Sequence, residues 1–271
     1  MKTLLVPIED HNQTASMLAT AELFARKLGS SVDGVALRLI QFQAVGAEPI
    51  VAVTFPPVGG DDDDTAARAR RRFDQHVASV GPDAPRMRWR GGDAIEDTGL
   101  GMLGRVYDLT VVGRPTNAGP GSRMTTLESA LFESGRPILI APLEPPKTIA
   151  TRVVIAWNRS TEAAQTMTAV LPVLHLAETV TIITVETATV PGPSGDELRD
   201  YLEAHGITAT AKTVPNGPGG AGATILDHAG QLGCDLLVKS AYTQSRLRQM
   251  IFGGATSHIL SNATLPVFMS N

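Results

Sequence analysis

The chain has 271 residues, a formal net charge of −4 and a hydrophobic content of 43%. That length suffices for two ordinary domains, and the apolar fraction excludes wholesale disorder. The acidic balance argues against nucleic acid as a partner, because such domains carry a basic face.

One cysteine excludes an internal disulfide framework and fits a reducing, cytoplasmic compartment. No apolar run reaches the length of a membrane span, so no membrane partner is expected. The short run ahead of Pro7 and Glu9 falls short of a signal-peptide core.

Thr3 to Ile8 (TLLVPI) is a continuous apolar run, as in a strand buried on both faces. From Thr14 to Leu28, apolar residues fall at Met17, Leu18, Ala21, Phe24, Ala25 and Leu28. That is the spacing of one helical face, ended by Gly29. Val32 to Leu39 reads as a second strand. Gln41 to Gly60 carries Pro49, Pro56 and Pro57 and reads as a long loop with a short strand-like piece at Ile50 to Phe55. Asp61 to Asp64 open a charged helix running through Val80; capping is the natural role of these carboxylates, ahead of cation binding. Strands follow at Arg86–Arg90, Asp108–Gly113 and Pro137–Ala141, and helices at Asp93–Leu103 and Thr125–Glu133. The alternation implies a parallel α/β sheet.

Leu143 to Thr148 (LEPPKT) is a proline-rich linker, after which the order begins again. Arg152–Trp157 restates the first strand. Strands at Val180–Glu186, Thr208–Val214 and Asp235–Lys239 alternate with helices at Thr161–Leu176, Ser194–His205 and Ala221–Leu232. Matching pairs anchor the repeat: Asp108-Leu109 answers Asp235-Leu236, and Arg136-Pro137 answers Leu265-Pro266. The first copy is the longer, and its extra length falls around residues 41–60.

The stretch from Cys234 to Val267 closes the second copy. An apolar run ends at Ser240, an arginine-bearing loop follows, and Gly253 and Gly254 open a helix before a last strand at Pro266. Glycines ahead of a free helix N-terminus form a natural anion site, because unpaired N–H groups and the helix dipole both favour negative charge.

On these residues the chain resembles the universal stress protein family in its tandem form, over essentially its whole length. LLVPIED and VVIAWNRS are similar to the family's first strand, which ends in an aspartate. The nucleotide-binding members carry Gly-x-x-Gly, nine residues, then Gly followed by Ser or Thr. Here that pattern falls on Ser240-Ala-Tyr-Thr243, nine residues, then Gly253-Gly254. The resemblance implies two Rossmann-like (adenine nucleotide alpha hydrolase-like) domains, residues 1–143 and 151–271. Each would hold a five-stranded parallel sheet of order 3-2-1-4-5 with helices on both faces. It also implies an intramolecular pseudo-dimer through the last strands; association of two whole chains stays open. The cofactor it implies is ATP or AMP, held by Asn158, Ser240, Tyr242, Thr243, Arg246, Arg248, Gly253, Gly254, Ala255 and Thr256.

The departures predict a weakened site. Both early glycines of the motif are replaced, by Ser240 and Thr243, and Gly254 stands where the family has Ser or Thr. Asn158 replaces the first-strand aspartate. In the first copy Gly113 is kept, Thr116 replaces the second glycine, the late glycine pair is missing and Glu9 is the acidic residue.

No GxxxxGK[ST] loop or G-x-S-x-G elbow is present, and the six histidines sit at no metal-ligand spacing. No catalytic residue and no metal ligand is therefore assigned. A binding or regulatory module of the stress response is expected, with an ATP-dependent switch of slow hydrolysis as the alternative. The inserted loop 41–60 is a further candidate for a small molecule or partner protein. Cys234 and Trp157 read as core residues, and His258 as a polar surface residue.

Overall fold

The computed structural model describes residues 1–38, 43–47, 50–54, 62–82, 84–116, 121–186, 191–241 and 254–271. The first half runs β1 (Thr3–Ile8), α1 (Thr14–Leu28), β2 (Ser31–Ala36), β3 (Gln43–Ala47), β4 (Ile50–Thr54), α2 (Asp62–Val80), β5 (Met87–Trp89), α3 (Asp97–Gly104), β6 (Leu109–Gly113), α4 (Met124–Glu128) and β7 (Ile138–Ala141). A π-helical turn, Ser129–Glu133, continues α4. The second half runs β8 (Arg152–Ala156), α5 (Thr161–Leu174), β9 (Thr179–Glu186), α6 (Gly195–Ala204), β10 (Thr210–Pro215), α7 (Gly220–Gln231), β11 (Leu236–Ser240), α8 (Ala255–Asn262) and β12 (Val267–Ser270).

Ten strands form one sheet in the order β10-β9-β8-β11-β12-β7-β6-β1-β2-β5. Each half contributes its own strands in the order 3-2-1-4-5, all parallel. The last strands of the halves meet antiparallel, with Val267 opposite Ile140, Phe268 opposite Leu139 and Met269 opposite Ile138. Each of these two strands thus covers an edge the other half would leave open.

Because the strands are buried on both faces, neighbouring residues feed opposite cores. Leu4, Val6, Leu236 and Val238 join the core under α1, α2, α5 and α6, with Phe24, Phe73, Met167 and Leu198. Leu5, Val154 and Leu237 join the opposite core with Leu100, Leu127, Ile225 and Ile259 from α3, α4, α7 and α8. This is why the strands read as unbroken apolar runs rather than alternating ones.

In the stretch 41–60 the strand-like piece expected at Ile50 to Phe55 is present as Ile50–Thr54, and it has a partner strand that the loop reading did not include. Gln43–Ala47 and Ile50–Thr54 form an antiparallel hairpin outside the main sheet. Each is a short apolar run, and Glu48-Pro49 interrupts them in the sequence. Pro49 and Pro56 flank the second run, which marks its ends in the sequence without marking its partner.

The repeated aspartates have a shared physical role. Asp108 Oδ2 accepts from the backbone N–H groups of Lys2 and Thr3, at 2.5 and 3.0 Å. Asp235 Oδ1 accepts from those of Thr151 and Arg152, both at 2.8 Å. In each half, an aspartate ahead of the fourth strand pins the start of the first. The donors hold the Asp108 carboxyl below its usual range against the opposing effect of burial, which is the largest single influence on it.

Candidate functional site

A cleft of about 860 Å³ opens at the carboxyl ends of β8, β9 and β11 in the second half. Its floor and walls include Ala156, Trp157 and Asn158 at the end of β8 and just beyond it, Lys239 on β11, Gly219 to Gly222 at the start of α7, and Gly254, Ala255 and His258 at the start of α8. Between β8 and β11 the chain winds off in opposite directions, and open α/β sheets place ligands at such a switch point. The volume suits a small-molecule ligand.

Gly254 caps α8 with φ 100° and ψ −171°, a conformation reserved in practice for glycine. It brings the first turn of α8 to the cleft with its N–H groups unpaired within the helix. Gly222 lets α7 lie against that turn. A Cβ there would stand 2.7 Å from the Ala255 carbonyl oxygen, 2.7 Å from His258 Cβ and 3.0 Å from Ala255 Cα.

The residues expected to form the site are distributed unevenly. Asn158, Gly254 and Ala255 line the cleft. Asn158 is also part of a turn: its Oδ1 accepts from Ser160 N at 3.2 Å and Ser160 Oγ at 2.9 Å. Ser160 Oγ in turn caps α5 by accepting from Ala163 N at 3.1 Å. The Asn158 amide nitrogen is the end that can turn to a ligand. Ser240 is buried and shares a strand face with Leu236 and Val238, the face turned away from α7 and α8. Thr256 is buried in the first turn of α8, with its hydroxyl oxygen unpartnered among the described residues. Tyr242, Thr243, Arg246, Arg248 and Gly253 lie outside the described residues.

Trp157 is a core residue at the rim of the cleft, 5% exposed, its Nε1–H donating to the Pro193 carbonyl at 2.8 Å. His258, read from sequence as a surface residue, lines the cleft. Sequence reasoning passed over Lys239. It is 5% exposed, and its ammonium donates to the Ser240 carbonyl at 2.8 Å. Burial pushes its pKa down to about 8. The available signal was a lysine inside the apolar run DLLVKS. The glycine-rich stretch from Gly217 to Gly222 was a second missed cue.

In the first half the corresponding ground carries, among the described residues, a network of the protein's own side chains. Arg123, just ahead of α4, donates to Asp97 at 2.9 and 3.2 Å and to Glu9 at 2.7 Å. Thr125 and Thr126 hydroxyls donate to the same Asp97 carboxylate, each at 2.8 Å. His11 Nε2 lies 3.2 Å from Glu9. Burial alone would raise the Glu9 carboxyl, but its bonds and charge contacts with His11 and Arg123 bring it below its ordinary value. A Cβ added at Gly113 would collide with Ser122 Oγ and stand 2.8 Å from Gln13 Oε1. The Asp97 carboxylate thus gathers side-chain donors from Arg123, Thr125 and Thr126, and Ser122 and Gln13 pack against Gly113.

Among the described residues there is no group of three or more His, Cys, Asp or Glu placed to hold a metal ion. No helix among them is long and apolar enough to cross a membrane.

The nearly complete chain superposes on solved structures of the same architecture. A universal stress protein from Archaeoglobus fulgidus DSM 4304 matches with a TM-score of 0.71 at 14% identity, covering 99% of this chain and 96% of that one. A protein from Pseudomonas aeruginosa UCBPP-PA14, described as a candidate universal stress protein, matches with a TM-score of 0.58 at 14% identity, covering 100% and 93%. The cytoplasmic domain of a prokaryotic cation chloride cotransporter matches with a TM-score of 0.52 at 13% identity, covering 99% and 94%. No protein-family model matches the chain, and neither does any curated protein sequence. The fold is therefore the tandem α/β fold seen in universal stress proteins; identity this low establishes fold alone.

Proposed function

We propose that the chain is a tandem universal stress protein: a cytoplasmic, non-catalytic binding or regulatory module of the stress response. Its domains are residues 1–143 and 151–271, joined as an intramolecular pseudo-dimer. It holds an adenine nucleotide, ATP or AMP, weakly and only in the second domain. The observation that carries this reading is the contrast between the halves. The second has an open cleft of about 860 Å³ at the strand ends, with a glycine-capped helix N-terminus on its wall. The first instead holds two carboxylates at the corresponding end of its sheet, Asp97 and Glu9, tied to Arg123, Thr125 and Thr126 side chains.

Weak binding follows from the motif itself. A Cβ at Thr243, where the motif has glycine, disfavours positive φ and holds a phosphate off the backbone. An affinity on the order of 0.1 mM, about 5.5 kcal/mol, is expected. The test is isothermal titration of the purified chain with ATP and AMP, together with mass spectrometry of small molecules released from protein prepared without added nucleotide. One site per chain is expected. Two sites per chain would overturn the assignment to one half, and no heat or protection at millimolar ATP would overturn nucleotide binding. Phosphate release from ATP at a rate dependent on Arg246 and Arg248 would overturn the non-catalytic reading.

A further inference from the structure

We infer that Arg114, a first-half residue, is a positioning residue for the second-half cleft: it grips the carboxyl end of α8 and so sets the wall that α8 gives the cleft. The inference rests on the nucleotide reading for the ligand. It goes beyond that reading by making the first half part of how the site is built.

The geometry is direct. α8 lines the cleft along its whole length, through Ala255, Ser257, His258, Ser261 and Asn262. Arg114 follows β6, and its backbone N–H donates to the Ala141 carbonyl at the end of β7 at 3.1 Å. Its side chain crosses to the other half. There Nη1 donates to the Ser261 carbonyl at 2.7 Å and to the Ala263 carbonyl at 3.2 Å. The last carbonyls of a helix lack partners within it, and a cation there also meets the negative end of the helix dipole. Eight residues make a helix about 12 Å long, too short to hold its shape unaided. α8 is therefore located by contacts at its two ends: Gly222 of α7 against the first turn and Arg114 at the last.

The repeat supplies a comparison. Gly113 pairs with Ala141 in the first half as Ser240 pairs with Ser270 in the second. The next N–H donates across in both, Arg114 to Ala141 and Ala241 to Ser270. Arg114 thus answers to Ala241, whose side chain ends at Cβ and carries no donor. In the first half the π-helical turn that continues α4 ends at Glu133, and that carbonyl accepts from Arg105 Nε, of the same half, at 3.0 Å. A link needed only to join the halves would suit either side of the antiparallel seam. Among the described residues, this arginine stands on the side where the gripped helix also walls the open cleft.

The test compares the full chain with Arg114→Met, Arg114→Lys and Arg105→Met. The last removes the matching tie in the first half and leaves α8 alone. Two readouts are taken: calorimetric titration with ATP and AMP, and hydrogen–deuterium exchange of peptides covering 255–262 without nucleotide. Arg114→Met should weaken both nucleotides by about fivefold or more and speed exchange of α8 by a similar factor. Arg114→Lys keeps a charged donor and should recover most of both losses, and Arg105→Met should show neither. A merely structural link would lower the urea midpoint of Arg114→Met and leave the affinity of the folded protein unchanged. That result, with wild type binding ATP, would overturn the inference and spare the nucleotide reading. A wild type that binds neither nucleotide removes the nucleotide reading. Unchanged exchange at 255–262 would then overturn the inference as well, whereas faster exchange confined to α8 would support Arg114 as the residue that sets this wall. Arg114→Gln, too short to reach the same carbonyls, replaces Arg114→Met if the latter does not fold; wild-type affinity and exchange in it would equally overturn the inference.

Discussion

Gly222 offers a direct test of how the cleft is built, because Gly230 in the same helix supplies its control. Both lie in α7, so replacement by alanine removes the same backbone freedom from each and by itself stabilises by about 0.5–1 kcal/mol. At Gly230 nothing lies within 4 Å of the added Cβ. At Gly222 the Cβ meets the Ala255 carbonyl oxygen and His258 Cβ at 2.7 Å and Ala255 Cα at 3.0 Å. Carbon contacts settle near 3.5–4.0 Å, so α8 must retreat by roughly 0.5–1 Å. Two of the three obstructing atoms are backbone, and no rotamer change relieves them. Overpacking of this kind costs about 1–3 kcal/mol. Gly222→Ala should therefore lie about 1–3 kcal/mol below Gly230→Ala in urea denaturation followed by circular dichroism. It should also weaken the nucleotide binding proposed above, because the retreating turn carries Ala255 at the cleft. Equal midpoints for the two variants would refute the close-packing account of this glycine stretch.

Asp235→Ala should cost about 2–3 kcal/mol, since it strips a charged acceptor from two backbone donors at the start of β8. Asp235→Asn, which keeps an acceptor oxygen, should recover part of that in the same denaturation assay; equal losses would sink the clamp. The Glu9 network predicts an acid limb. A carboxyl held below its ordinary value of 4.5 contributes stability that is fully present above that value and lost as pH falls through the folded-state value beneath it. Stability measured from pH 5.5 down to 2.5 should fall more steeply in wild type than in Glu9→Gln, and parallel curves would contradict the assignment.

The sequence by itself determined the architecture. Apolar runs separated by helical periodicity announced a parallel sheet, and the spacing of Asp108-Leu109 against Asp235-Leu236 announced two copies of one fold. Those anchors were legible because the same clamp recurs in both halves: an aspartate precedes one strand and catches the N–H groups opening another. The glycine at position 254 was legible too, since its positive φ is a backbone demand that few residue types meet.

Facing and filling needed the tertiary structure. A strand buried on both sides gives no sign of which side is the cleft, so the sequence pointed to Ser240 although α7 and α8 cover the face of Lys239. Nor could the sequence reveal that Arg123 joins Asp97 to Glu9 from positions far apart along the chain. Periodicity reports burial, which is averaged over a whole face. A binding site depends on a few side chains brought together by loops, and only the folded chain fixes which of them meet.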